Sequence, residues 1–323
     1  MQWYHYTLLA LAILIIIYFT MSYGFYEKIF VKYKNKKKPL VNQESDFYKE
    51  SYDWFLNIPK DDVYIHSYDG LKLHGFYIPS IDKTTDNLAI VIHGYQSCAT
   101  DMIIIAKLYS DLGFKVLMID LRGHGLSEGK FTSMGYYEKY DLKKWINHCL
   151  RTYGANSKIL LHGVSMGAAM SMLVTEFKEK EHLNFLILDS GFTVFSKTLA
   201  ESIKSKFFLI FIPGISFFTF ILHKFTLNKI SPLKAIKNSQ IPFLIIHGDK
   251  DKPVPEKMAK ELYEASPVQN KDILIIEGSP HAKAFEVDKE KVTNAIIANI
   301  CEPFKIKKSN VKYCTDKKTA DHW

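Results

Sequence analysis

The stretch Ile159-Leu160-Leu161-His162-Gly163-Val164-Ser165-Met166-Gly167 decides how this chain is read. Its first four residues form a short apolar run of strand length, and the segment from Met166 onward reads as a helix. Between them lies a G-x-S-x-G pentapeptide that puts Ser165 on a sharp strand-to-helix turn. Small residues two positions to either side let the chain pass that closely. A serine held there is strained and lifted above the sheet, with a helix N-terminus behind it. The pentapeptide alone carries little weight; its position between strand and helix gives it meaning.

The pattern extends in both directions. Apolar runs at 88–92, 116–119, 185–188, 243–246 and 273–276 alternate with amphipathic segments near 102–112, 138–153, 256–265 and a last helix ending near residue 300. Strand and helix in alternation predict an α/β domain with a mostly parallel central sheet and helices on both faces. Upstream, residues 63–66 and 72–78 flank Tyr68-Asp69-Gly70, a turn that favours a β-hairpin of antiparallel edge strands. Between Thr193 and Pro232 the alternation stops, so residues 193–231 read as an insertion.

A serine hydroxyl is a weak nucleophile and needs a base in reach and a carboxylate to orient that base. The run 243–246 leads into His247-Gly248-Asp249-Lys250-Asp251, at the C-terminal sheet edge where sites of such folds gather. Asp251 is taken as the acid, with Asp249 and Asp189 as lower-ranked alternatives. His281, in the loop before the last helix, is the base. Oxyanion donors are expected from the backbone N–H groups of Met166 and of Tyr95, in His93-Gly94-Tyr95-Gln96 after the 88–92 run. His93 reads as structural, His124 as a less favoured base, and Cys98 as packing. Asp120 and Arg122, in Asp120-Leu121-Arg122-Gly123-His124-Gly125, are expected to pair and brace the loops.

Together His93-Gly94, 120–125, 163–167, 248–255 and His281 make the chain resemble the α/β-hydrolase superfamily over residues 61–300. Residues 132–138 and Ser231-Pro232-Leu233 resemble its bacterial, membrane-tethered branch near the serine aminopeptidases and prolyl-oligopeptidase-like hydrolases. The resemblance implies an α/β-hydrolase fold with a helical cap insertion at 193–231. It also implies hydrolysis of an ester, thioester or amide through an acyl-serine, without metal or organic cofactor. It names no substrate; a carboxylic ester leads, with a peptidase of aminopeptidase type and a noncatalytic membrane-bound interaction module as alternatives.

Residues 1–26 contain no Asp, Glu, Lys or Arg and have aromatic residues near both ends, as expected of an N-terminal transmembrane helix. An uncleaved signal-anchor fits better than a signal peptide, because bulky residues follow the apolar core. Lys28, Lys32, Lys34, Lys36, Lys37 and Lys38 come after it, which places the catalytic domain in the cytoplasm by the positive-inside rule. The expected organisation is the anchor at 1–26, a basic juxtamembrane linker at 27–60, the catalytic domain at 61–303 and a lysine-rich tail at 304–323.

Net charge is +8, but the lysines crowd around the apolar segment and in the tail, which fits membrane-proximal charge rather than a nucleic-acid groove. The four cysteines are scattered and read as free thiols. The expected partners are therefore an acyl substrate and membrane lipid, and no nucleic acid. In the insertion, Phe207-Phe208-Leu209-Ile210-Phe211-Ile212 precedes Pro213-Gly214, which breaks the run and argues against a second span. Its apolar side chains either pack onto the domain, line an acyl pocket or dip into the bilayer.

Overall fold

The computed structural model describes residues 3–32, 46–202 and 206–306. The lysines at 34–38 and the tail from 307 onward, with Cys314, lie outside the described residues. Helix α1 (Trp3–Tyr26) is followed by a π-helical turn (Glu27–Val31) and by α2 (Asp46–Asn57). The hairpin β1 (Asp61–His66) and β2 (Lys72–Ile78) comes next. It is followed by β3 (Asn87–Ile92), α3 (Ile103–Asp111), β4 (Lys115–Ile119), α4 (Glu138–Thr152), β5 (Lys158–Val164), α5 (Met166–Leu173) and β6 (Leu183–Asp189). The insertion holds α6 (Phe195–Ser202), α7 (Lys206–Leu209) and α8 (Ile212–His223). After it come α9 (Pro232–Lys237), β7 (Phe243–Gly248), α10 (Glu256–Ala265), β8 (Lys271–Ile276), α11 (Ala284–Val287) and α12 (Lys289–Phe304).

The eight strands form one sheet in the order β1-β2-β4-β3-β5-β6-β7-β8. β2 runs antiparallel to both β1 and β4, and the remaining pairs are parallel. Continuous apolar runs suit strands covered on both faces. In β3 the period of two is visible in the packing: Leu88, Ile90 and Ile92 join a core with residues of α4, α5 and α10, while Ala89 and Val91 join a core with residues of α3 and α12. The C-terminal strand edges thus emerge between two filled layers, and the loops that leave them gather at one rim.

The structure departs from the expected linker at 27–60. Phe30 is fully buried, with its ring against Phe195 and Phe225, and Thr132 N–H donates to the Phe30 carbonyl at 2.9 Å. Phe55 of α2 is likewise buried in the α3/α12 core. Bulky aromatics in a lysine-rich stretch carry enough apolar area to dock it. Pro213-Gly214 also behaves differently from a break: Pro213 sits in the first turn of α8, where its missing N–H costs nothing, and the helix runs on. Cys301 is disulfide-bonded, against the expectation of four free thiols, while Cys98 and Cys149 are free and buried.

Because Phe30 fills a closed apolar site, Phe30→Ala should lower unfolding free energy by about 3–5 kcal/mol, as large-to-small core changes do. Denaturant titration of the detergent-solubilised protein checks this; a loss below ~1 kcal/mol would place the segment outside the cooperative fold.

Candidate active site

Ser165 ends the chain's climb up β5 and begins α5, with φ 55° and ψ −110°. That left-handed value is costly for a residue with a side chain and persists only where the surroundings impose it. They do so through main-chain contact. A Cβ on Gly163 would lie 2.3 Å from the carbonyl group of Gly167, and one on Gly167 would lie 2.3 Å from the Ile92 carbonyl oxygen. Ser165 N–H donates to the Asp189 carbonyl at 2.8 Å, which ties the turn to the end of β6.

From this turn the Ser165 hydroxyl lies 2.8 Å from His281 Nε2, and His281 Nδ1 lies 2.6 Å from Asp251 Oδ2. A carboxylate at Nδ1 fixes the proton there, leaving Nε2 as the acceptor for the serine O–H. Asp251 is wholly buried at its side chain, and its other oxygen accepts from Val254 N–H at 2.8 Å. His247 Nε2 donates to the Val254 carbonyl at 2.8 Å and lies 3.4 Å from Asp251 Oδ2. The loop after β7 is thereby closed around the carboxylate. His281 and Ser165 stay partly exposed, so the end of the series is open to a reactant.

The structure separates the three aspartates. Asp249 accepts from Gly278 N–H at 2.7 Å and pairs with Lys250 at 2.9 Å, bracing the β7 and β8 loops against each other. Asp189 is buried, and Ser190 Oγ donates to it at 2.8 Å while accepting from Ala282 N–H at 3.1 Å. Asp189 thus supports the His281 loop from below. Burial pushes its carboxyl up to about 6, although the Ser190 hydrogen bond and His281 pull the other way.

The loop after β3 comes within contact of the serine: a Cβ on Gly94 would lie 3.3 Å from Ser165 Cβ. Met166 N–H belongs to the first turn of α5, whose donors have no intrahelical acceptor. The Tyr95 hydroxyl donates to the Ile29 carbonyl at 2.7 Å, joining this loop to the turn that follows α1. His93 Nδ1 donates to the Gly94 carbonyl at 2.7 Å, and Nε2 accepts from Leu121 N–H at 3.0 Å. Burial, then the neighbouring His124, lowers its basicity to about 3, so it acts as a neutral tie. His124 is a second tie, between the Arg122 carbonyl and Gln96 N–H.

Asp120 and Arg122 do not pair. Asp120 accepts from Ala99 N–H, Leu126 N–H and the buried ring of His74, at 2.8, 3.0 and 2.7 Å. Arg122 instead makes a bidentate contact with Asp141 at 2.6 and 2.7 Å and another with Asp69 at 3.0 Å, its guanidinium 5.4 and 5.5 Å from the rings of Tyr68 and Tyr137. The chain turns at Arg122, just past the end of β4, so the two side chains find different partners instead of each other.

Sequence reasoning missed Glu138. It is fully buried, accepts from Ser133 N–H at 2.7 Å and Gly135 N–H at 2.9 Å, and Ser133 Oγ in turn accepts from Tyr137 N–H at 2.7 Å. A Ser/Thr pair ahead of a Glu at a helix start was the available signal, a wide relative of the capping box. The loop it folds brings Thr132 Oγ1 to Met166 Sδ, beside the serine. Cys98 is buried with its thiol on Thr100 Oγ1, and burial raises its basicity.

A mostly parallel sheet in this strand order, carrying a strained serine at the end of β5, defines the class of α/β hydrolases. The family described as serine aminopeptidase, S33, matches residues 83–217. The chain is 30% identical to the uncharacterized protein YfhR of Escherichia coli O157:H7 over 71% of this chain and 78% of that one. It is 29% identical to the uncharacterized YqkD of Bacillus subtilis, over 80% of this chain and 84% of that one. It is also 27% identical to YNL320W of Saccharomyces cerevisiae, described as an uncharacterized membrane protein, over 67% and 71%. Among solved structures, the Pyrococcus furiosus esterase Pf2001 superposes with a TM-score of 0.64 and 25% identity, over 82% of this chain and 98% of that one. The chain belongs to the α/β-hydrolase superfamily.

The folded value of about 6 for Asp189 lies above the unfolded ~3.9, so its ionisation works against the native state. Stability from this group is present below about pH 4 and is lost as pH rises through about 6. Asp189→Asn should therefore gain stability relative to the parent across that window and hold the gain above it. Denaturant unfolding of both proteins as a function of pH checks this; a difference that does not vary with pH would remove the buried carboxyl from the account.

Proposed function

We propose that this protein is a membrane-anchored serine hydrolase that cleaves a carboxylic ester, with lipid-like or acyl esters favoured, through an acyl intermediate on Ser165. The observation that carries the proposal is the unbroken hydrogen-bond series from Ser165 Oγ through His281 to the buried Asp251. In the first half-reaction His281 Nε2 takes the hydroxyl proton as Ser165 Oγ adds to the carbonyl carbon, and Asp251 holds the imidazolium through Nδ1–H. Met166 and Tyr95 N–H receive the oxyanion. Collapse expels the alcohol, which takes the proton from His281. Water, deprotonated by the same ring, then frees the acid and restores Ser165.

The Pf2001 esterase supports an ester substrate, and the S33 description keeps an amide as the second reading. Anchoring rests on α1, which has the length and hydropathy to cross a bilayer, and on the relative described as a membrane protein. Lys28 and Lys32 follow it and favour a cytoplasmic domain.

Steady-state hydrolysis of matched acyl esters and amides of increasing chain length tests the proposal. We expect esters to be preferred and kcat/KM to rise with chain length. Ser165→Ala should abolish turnover, and Asp251→Asn should cut kcat by roughly 10³–10⁴-fold. Activity that survives Ser165→Ala would refute it.

A further inference from the structure

Helix α8 of the cap carries an apolar face that the protein leaves about half exposed. Phe217, Phe220 and Ile221 are 45%, 51% and 46% exposed, and with the exposed Pro213 they recur at the spacing of one helical face. Elsewhere the helix is filled: Ile215 and Thr219 are buried, and Gly214 is buried where α8 meets α1. A 12-residue helix is about 18 Å long, too short to span a bilayer but of the kind that lies in its surface.

Its position relative to α1 gives the depth. The ring contacts from the cap to α1 fall between Tyr18 and Tyr26: Phe211 on Tyr18 at 5.6 Å, Phe217 on Phe19 at 5.3 Å, Phe218 on Tyr23 at 5.2 Å and His223 on Tyr26 at 5.8 Å. At Gly214 the two helices leave no room for a methyl group: a Cβ there would lie 2.2 Å from Ser22 Oγ. A span of about 20 residues counted from Trp3 ends near Ser22, so α8 crosses α1 at the level where hydrocarbon gives way to headgroups. Tyr18 and Tyr23 mark the same layer, and Lys28 and Lys224, both exposed, stand where snorkelling amines would meet phosphates.

We propose that the cap docks on the membrane itself, with α8 lying in the lipid interface beside α1 and its Phe217, Phe220 and Ile221 face among the acyl-chain ends. This rests on the membrane-anchored reading above and deepens it. The Tyr137 hydroxyl donates to the His223 carbonyl, and Phe131 stacks on His223 at 3.9 Å. These contacts join α8 to the loop whose Thr132 touches Met166. The site is therefore two contacts from the bilayer surface, which points to amphiphilic esters resident in the membrane as its substrates.

Full-length protein carrying Trp3→Phe and either Phe220→Trp or Ile221→Trp, reconstituted into phosphatidylcholine vesicles, tests this. We expect lipids brominated near the headgroup end of their acyl chains to roughly halve the added emission, since an interfacial helix sits about 5–10 Å deep. A tryptophan at Tyr64, exposed on β1, should stay unquenched. The parent retaining Trp3 reports on the anchor: quenching of Trp3 without quenching at 220 or 221 overturns the cap proposal alone, whereas no quenching at Trp3 overturns the anchored reading. Two probe positions guard against one variant that misfolds.

Discussion

At Gly163 and Gly167 the end of β5, the start of α5 and the end of β3 meet main chain against main chain, with no room for a methyl group. The approach is possible only without side chains, and it forces the residue between them into a conformation that a serine adopts at a cost. The rest of the rim is arranged around that fixed point. The β6 end holds the serine amide, the β7 loop presents Asp251, and Ser190 props the loop that carries His281. Several strand ends must converge on one spot for such a series to form, which explains why it sits on a parallel sheet rather than on one flexible loop.

The second organising feature is how closely the N-terminal segment joins the domain. Docked Phe30 and the Tyr95 hydroxyl on the Ile29 carbonyl run the turn after α1 directly beneath the loop that faces Ser165. A helix that only tethered a soluble enzyme would need none of this. The same segment supplies the bed on which the cap rests, so α1, cap and site form one packed unit.

Much of this was legible in the chain. Short apolar runs alternating with amphipathic segments located the strands and most helices, and the order of serine, acid and histidine picked out three residues that the fold brings together. What remained hidden was hidden for physical reasons. Arg122 and Asp120 are neighbours in sequence, but their partners come from the β1–β2 hairpin, with Asp69 and His74, and from α4, with Asp141, which no local pattern links to them. Phe30 lies in a lysine-rich stretch, where composition points to solvent while one aromatic ring decides for the core. Gly214 reads as a breaker because glycine lowers helix propensity. Its role, close approach to Ser22, exists only once α1 is in place.

The central claim is that Ser165 is an activated nucleophile, and a fluorophosphonate probe followed by mass spectrometry of the labelled peptide tests it most directly. The account predicts a single covalent adduct on Ser165 in the folded, membrane-reconstituted protein. A folded protein that takes up no probe, or takes it up at another residue, would contradict it.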